Sequence, residues 1–133
     1  MTAFVLDGIT QSTRRRASDP RSSAWVSANA GSGKTTVLTE RVVRLLLAGA
    51  HPGRILCLTF TKAAAKEMAN RLHERLGGWV GLSNADLSER LTQMGHDQVD
   101  RKTLARARRL FTTALETPGG LKIQTIHAFC ERI

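Results

Sequence analysis

The chain has 133 residues, 41% of them hydrophobic, which allows one globular domain with a core and leaves no room for two of ordinary size. Lys and Arg number 20 against 11 Asp and Glu, a formal net charge of +9, which favours a polyanionic partner such as nucleic acid over a neutral one, unless the charge merely solvates helix faces. No run of about 18 apolar residues could span a bilayer, and the N-terminus lacks the layout of a secretory signal, so a cytoplasmic location is expected.

Residues 1–20 open with a short apolar piece, Phe4-Val5-Leu6, and then turn polar through Gln11, Arg14-Arg15-Arg16 and Asp19-Pro20. They read as a segment ahead of the core, its arginines either contacting phosphates or facing water. Ser23 to Ala28 has a β-favouring Trp-Val centre and predicts a first strand. Ala28-Asn29-Ala30-Gly31-Ser32-Gly33-Lys34-Thr35 follows, and Thr36 to Ala48 carries apolar residues at helical spacing. Strand, glycine-rich loop and helix in that order describe a phosphate-binding loop.

The residue types suit that chemistry. A triphosphate needs many donors aimed at one spot, and backbone N–H groups wrapped at a helix N-terminus supply them. Gly31 and Gly33 permit the wrap and the close approach of phosphate oxygens. The Lys34 ammonium is expected on the β- and γ-phosphates, and the Thr35 hydroxyl on the Mg²⁺ that bridges them. Residues Ala28 to Thr36 are therefore the expected nucleotide contacts, with Lys34 and Thr35 the pair closest to the chemistry. The first glycine of the general G-x-x-x-x-G-K-[ST] pattern is replaced by Ala28.

Beyond Gly49 and Pro52-Gly53, the apolar run Arg54 to Phe60 predicts a second strand, buried on both faces and parallel to the first. From Thr61 a helix is expected, with Met68, Leu72 and Leu76 on one side and Gly77-Gly78 as its end. Ser83-Asn84-Ala85-Asp86 resembles a capping box and predicts a short helix, followed by a second from about Val99 to Glu116 whose outer face holds Arg101, Lys102, Arg106, Arg108 and Arg109. These two helices read as an insertion over about 80–117. After Pro118-Gly119-Gly120, Leu121 to Ile126 predicts a third strand and His127 begins another helix. Cys57 and Cys130 have no metal-ligand spacing and read as small buried hydrophobes of a reducing compartment.

Three segments then sit at carboxyl ends of predicted strands, the edge where parallel sheets bind ligands: the phosphate loop, Thr59-Phe60-Thr61-Lys62, and Thr125-Ile126-His127. Phe60 is either a core side chain or a stacking platform for a base.

Ala28 through Thr35 resembles the A-x-x-G-x-G-K-T phosphate loop of the UvrD/Rep-like superfamily 1A helicases, in which the first glycine is also missing. Thr59 through Met68 and Thr125 through Cys130 resemble that family's next two motifs, both DNA-contacting. The wording of Ser23 to Gly31 and of Leu115 to His127 is similar to the AddA family of helicase-nuclease subunits, relatives of RecB that act in double-strand-break repair. The resemblance implies a P-loop NTPase (RecA-like) α/β fold: a parallel sheet with flanking helices and a helical insertion, incomplete here. Residues 1–22 would be an N-terminal segment and 23–133 the first part of the ATP-binding domain. It also implies ATP and Mg²⁺ as cofactors and Gln11 on adenine. Thr59, Phe60, Thr61, Lys62, Thr125 and His127 would lie on DNA, single- or double-stranded, and an AddB-type subunit would be the partner of the full-length protein. Lys62 stands where many relatives carry asparagine. No apolar run ends in the Asp-Glu pair that hydrolysis requires, so the chain alone is expected to be inactive. The alternatives are a small P-loop metabolite kinase and a non-catalytic fragment that holds nucleic acid by charge alone.

Overall fold

The computed structural model describes residues 8–27, 33–116 and 120–133. The expected apolar piece at Phe4 to Leu6, most of the phosphate loop (28–32) and the Pro118-Gly119 turn lie outside them.

The elements run in the order α1 (Gly8–Ala17), α2 (Lys34–Leu47), a 3₁₀ turn (Pro52–Arg54), β1 (Leu56–Thr59), α3 (Lys62–Val80), α4 (Asn84–Gln93), α5 (Arg101–Glu116), β2 (Lys122–Thr125) and α6 (Ile126–Glu131). α3 is the spine. Its first turns are rich in alanine, the best helix former, and Thr61 caps its N-terminus by accepting the Ala64 N–H at 3.1 Å. Met68, Leu72 and Leu76 recur every fourth residue and are buried together with Trp79. That stripe meets Val43 and Leu46 of α2, Leu87 and Leu91 of α4, and Ala107 and Leu110 of α5 in one core. The centre of the molecule is a helix cluster, with the sheet packed on one side of α3.

Contrary to the sequence expectation, α3 does not stop at Gly77-Gly78 but continues to Val80. Two glycines in a helix cost about 1 kcal/mol each relative to alanine, and burial of the Trp79 ring one residue later outweighs part of that. Gly77 also admits a neighbour: a Cβ there would stand 3.3 Å from the Phe111 ring of α5. The glycine pair marks a close helix crossing.

β1 and β2 pair in parallel, from Leu56 beside Lys122 to Thr59 beside Thr125. The parallel sheet of the sequence reading is thus present with two strands. The expected first strand is not formed in its described part, Ser23 to Ser27, and Trp25 is 95% exposed. β-propensity expresses fit to a half-buried pleated surface, and Trp25 and Val26 have none to lie on. The expectation that β1 is buried on both faces also fails: Cys57 faces the core, whereas Leu56 and Leu58 remain 42% and 40% exposed, because the helices pack on one face only. Cys130 is exposed on α6 rather than buried.

The segment before the expected strand is more structured than its polarity suggests. α1 is docked on α2 by two guanidinium groups. Arg41 donates to the carbonyls of Ala17 at 3.2 Å, Asp19 at 2.9 Å and Ser22 at 2.5 Å, and the buried Arg44 donates to the Arg15 carbonyl at 2.8 Å and the Ser18 hydroxyl at 2.9 Å. The carbonyls of Arg15 and Ala17 end a helix and have no intrahelical donors, so the arginines satisfy acceptors that burial would otherwise orphan. α2 ends in a reciprocal pair of bonds, Gly49 N–H to Leu46 and Ala50 N–H to Leu45, both 3.0 Å, which the φ of 100° at Gly49 makes possible. Two of the five basic residues on α5 are engaged in the fold: Arg106 donates to the Leu47 carbonyl at 3.2 Å and Arg108 to that of Leu82 at 2.9 Å.

Asp100 opens α5 by accepting the Thr103 N–H and hydroxyl, each at 2.7 Å. Those bonds, the backbone one first, hold its carboxyl below the ordinary value of 3.8. Because the charged form is favoured in the folded chain, its contribution is complete above that value and is lost as pH falls below it through the depressed one. Helicity measured by circular dichroism should therefore be less acid-sensitive below about pH 4 in Asp100→Asn than in the parent. Leu72→Ala, at a site with 0% exposure, should destabilise the chain by about 2–5 kcal/mol in urea unfolding, and a loss under about 1 kcal/mol would contradict the central place of α3.

Candidate nucleotide and nucleic-acid site

The phosphate-binding helix begins as the sequence predicts. Gly33, with φ 91° and ψ 18°, turns the chain into α2, whose first internal bond runs from the Val37 N–H to the Gly33 carbonyl at 3.0 Å. The amides of Lys34, Thr35 and Thr36 therefore precede the helical hydrogen-bond ladder and face outward as donors. Lys34 and Thr35 are exposed, and the first turn of α2 contains no acidic residue. Ala28, Asn29, Ala30, Gly31 and Ser32 lie outside the described residues.

Gln11 sits on α1 and lines a cavity of about 170 Å³ with Arg14 and Arg15, Glu40 of α2, Arg75 and Trp79 of α3, and Arg90 and Gln93 of α4. The sequence marks Gln11 and the arginine cluster. It gives no local sign of Glu40, Arg75, Arg90 or Gln93, because four helices distant in sequence make the wall. Arg14 reaches further and packs its guanidinium against Gly33.

The second group of residues gathers at the sheet edge. Thr59 ends β1 and Thr125 ends β2, and the two are register partners, so the turns that follow start side by side. The Thr59 hydroxyl donates to the Thr61 carbonyl at 3.0 Å. Thr61 caps α3, and Thr125 caps α6 in the same way by accepting the Ala128 N–H at 3.1 Å. With its flanking threonines so engaged, Phe60 projects outward and is 91% exposed, which decides against a core role. Lys62 is exposed at the start of α3. His127 is exposed on α6, with Nε2 3.2 Å from the Glu131 carboxylate one turn on. The structure therefore brings Thr59 to Lys62 together with Thr125 to His127. The phosphate-loop end is tied instead to α1, and no strand leads into it among the described residues.

A hard oxygen donor such as the exposed Thr35 hydroxyl fits Mg²⁺ shared with phosphate oxygens and water. Among the described residues no group of three or more His, Cys, Asp or Glu side chains could hold a metal by itself. Burial raises the Cys57 thiol above its ordinary value, which removes it from nucleophilic chemistry.

The model of the UvrD/REP helicase N-terminal domain matches residues 9–133. The chain belongs to the UvrD/REP helicase family. It is similar to an ATP-dependent helicase/nuclease subunit of Lactiplantibacillus plantarum, with 38% identity over 108 residues, 81% of this chain and 8% of that protein. The protein of the same name from Ligilactobacillus salivarius is 35% identical over 124 residues, covering 93% of this chain and 8% of the relative. That of Lactobacillus johnsonii is 51% identical over 55 residues, 41% of this chain and 5% of the relative. The chain thus spans less than a tenth of the length of these relatives. No solved structure matches. Membership in the UvrD/REP family sets aside the metabolite-kinase alternative.

The threonine caps make a UvrD/REP-type edge testable by itself. Thr61→Ala should destabilise the chain by about 1 kcal/mol in chemical denaturation, whereas Thr61→Ser, which keeps the acceptor, should lose only a few tenths.

Proposed function

We propose that this chain is the ATP-binding N-terminal part of an AddA-type, ATP-dependent DNA helicase and nuclease acting in double-strand-break repair. The observation that carries the reading is the sheet edge, where an exposed Phe60 stands between two engaged threonines and beside the turn that bears His127. An aromatic ring held in water has no folding role, and a base stacked on it would cover its exposed face. Lys62, Thr59, Thr61, Thr125 and His127 would lie along the strand's backbone and set its path.

At the other end, ATP would place its phosphates on the amides that open α2, with Lys34 on the β- and γ-oxygens and Gln11 directed to adenine. Mg²⁺ would be shared between Thr35 and the phosphates, and would neutralise charge on the terminal phosphoryl group. The helices over about 80–117 are read as an insertion, and α4 contributes to the cavity that Gln11 lines. Turnover, unwinding, nuclease action and pairing with an AddB-type partner belong to the longer protein, for which a cytoplasmic location is expected.

Two substitutions separate the two ends. Lys34→Ala should weaken Mg²⁺-dependent binding of a fluorescent ATP analogue at least about tenfold, as expected for loss of a charge-assisted contact. Phe60→Ala should leave nucleotide binding unchanged and weaken single-stranded DNA by about 1–3 kcal/mol, the worth of one stacked base. Unchanged DNA affinity in Phe60→Ala would remove the stacking platform from the proposal.

A further inference from the structure

Arg14 borders two features at once. It forms part of the wall of the cavity that Gln11 and Glu40 also line, and its guanidinium packs so closely on Gly33 that a Cβ at that residue would collide with it; the guanidinium carbon would stand only 3.1 Å from that atom. Gly33 has no Cβ and a φ of 91°, so the contact is built into the turn that opens α2. The placement is fixed from behind, because Arg44 holds the Arg15 carbonyl and the Ser18 hydroxyl and Arg41 holds the carbonyls of Ala17 and Asp19. Four bonds from α2 thus lock the turn of α1 that follows Arg14.

The result is a concentration of one sign. Arg14, the Lys34 ammonium and the outward amides of α2 lie together, and α2 has no acidic residue in its first turn. Like charges brought this near raise each other's energy, and an anion among them lowers it. Arginine suits such a position better than lysine because its planar fork stays charged and can hold two phosphate oxygens at once.

We propose that Arg14 is a phosphate-binding residue, its guanidinium taking oxygens of the nucleotide's phosphate chain from the α1 side while Lys34 takes them from α2. This inference rests on the nucleotide reading above and adds to it a cation from outside the phosphate loop. It assigns α1 a part in sensing phosphate, separate from the base contact expected of Gln11 one helical turn earlier.

The test is displacement of a fluorescent ATP analogue, in Mg²⁺, by ATP, by inorganic tripolyphosphate and by adenosine, on the purified chain and on Arg14→Ala, Arg14→Gln, Arg14→Lys and Lys34→Ala. Circular dichroism melts accompany each variant, and Arg14→Gln serves if the alanine variant unfolds. Arg14→Ala and Arg14→Gln should weaken ATP and tripolyphosphate alike, by about tenfold to a hundredfold, with adenosine unchanged and Arg14→Lys intermediate. Equal weakening of adenosine and tripolyphosphate would show a packing or base contact and overturn the inference. Unchanged binding of all three competitors, with Lys34→Ala still defective, would overturn it and leave the nucleotide reading standing. Unchanged binding in Lys34→Ala would remove that reading and the inference with it.

Discussion

The buried stripe of α3 is the constraint on which the rest of the molecule depends. Met68, Leu72, Leu76 and Trp79 are apolar side chains of one helix that α2, α4, α5 and the sheet must all cover. Each such burial is worth about 1.5–3 kcal/mol, so the stripe fixes how the neighbours sit. The cap at its N-terminus then has a functional consequence. Thr61 closes α3 directly after Phe60, so the register of the core decides where the exposed ring points from the sheet edge. A helix slipped by one residue would turn the stripe by about 100° and move the ring with it.

A second constraint is ionic and works at the opposite end. A guanidinium such as that of Arg44 is costly to bury unless its donors are taken up, and here the takers are a helix-end carbonyl of α1 and the Ser18 hydroxyl. Arg41 repeats the device one turn earlier on α2. Neither partner would be comfortable alone, because the carbonyls need donors and the arginines need acceptors. The same two residues therefore settle α1 on the helix that starts with Lys34, and bring Gln11 and Arg14 to the phosphate end of the molecule.

The sequence is legible where chemistry is local. The capping residues Thr61 and Ser83, the helical stripes of α3 and α5, the positive-φ glycine before Lys34 and the strand at Leu56 all rest on neighbours within a few residues, and the structure has each of them. It is not legible where a distant partner decides. Trp25-Val26 has the composition of a strand but no strand beside it, Gly77-Gly78 has the composition of a stop but a Phe111 ring to receive, and α1 has no apolar stripe because arginines of another helix hold it. The candidate site divides in the same way. Lys34, Phe60 and His127 can be read from their motifs, whereas the cavity wall of Glu40, Arg75 and Arg90 exists only once four helices are packed.

The hydroxyls at the sheet edge can be sorted by what each has left to give. A threonine hydroxyl holds one donor and two acceptor positions. Thr61 and Thr125 use an acceptor position on a backbone N–H, so each keeps its O–H for an incoming phosphate oxygen. Thr59 commits its O–H to the Thr61 carbonyl and keeps only acceptor capacity, which a phosphate cannot use. Thr59 is therefore the residue that shapes the turn, while Thr61 and Thr125 can hold the turn and meet a nucleic-acid backbone at once. His127 differs again, because its nearest ionic neighbour is the carboxylate of Glu131, and a phosphate drawing the imidazole away must compete with that carboxylate. Donation at this edge is consequently strongest near Thr61 and Lys62, beside the exposed ring, and weakest at the histidine.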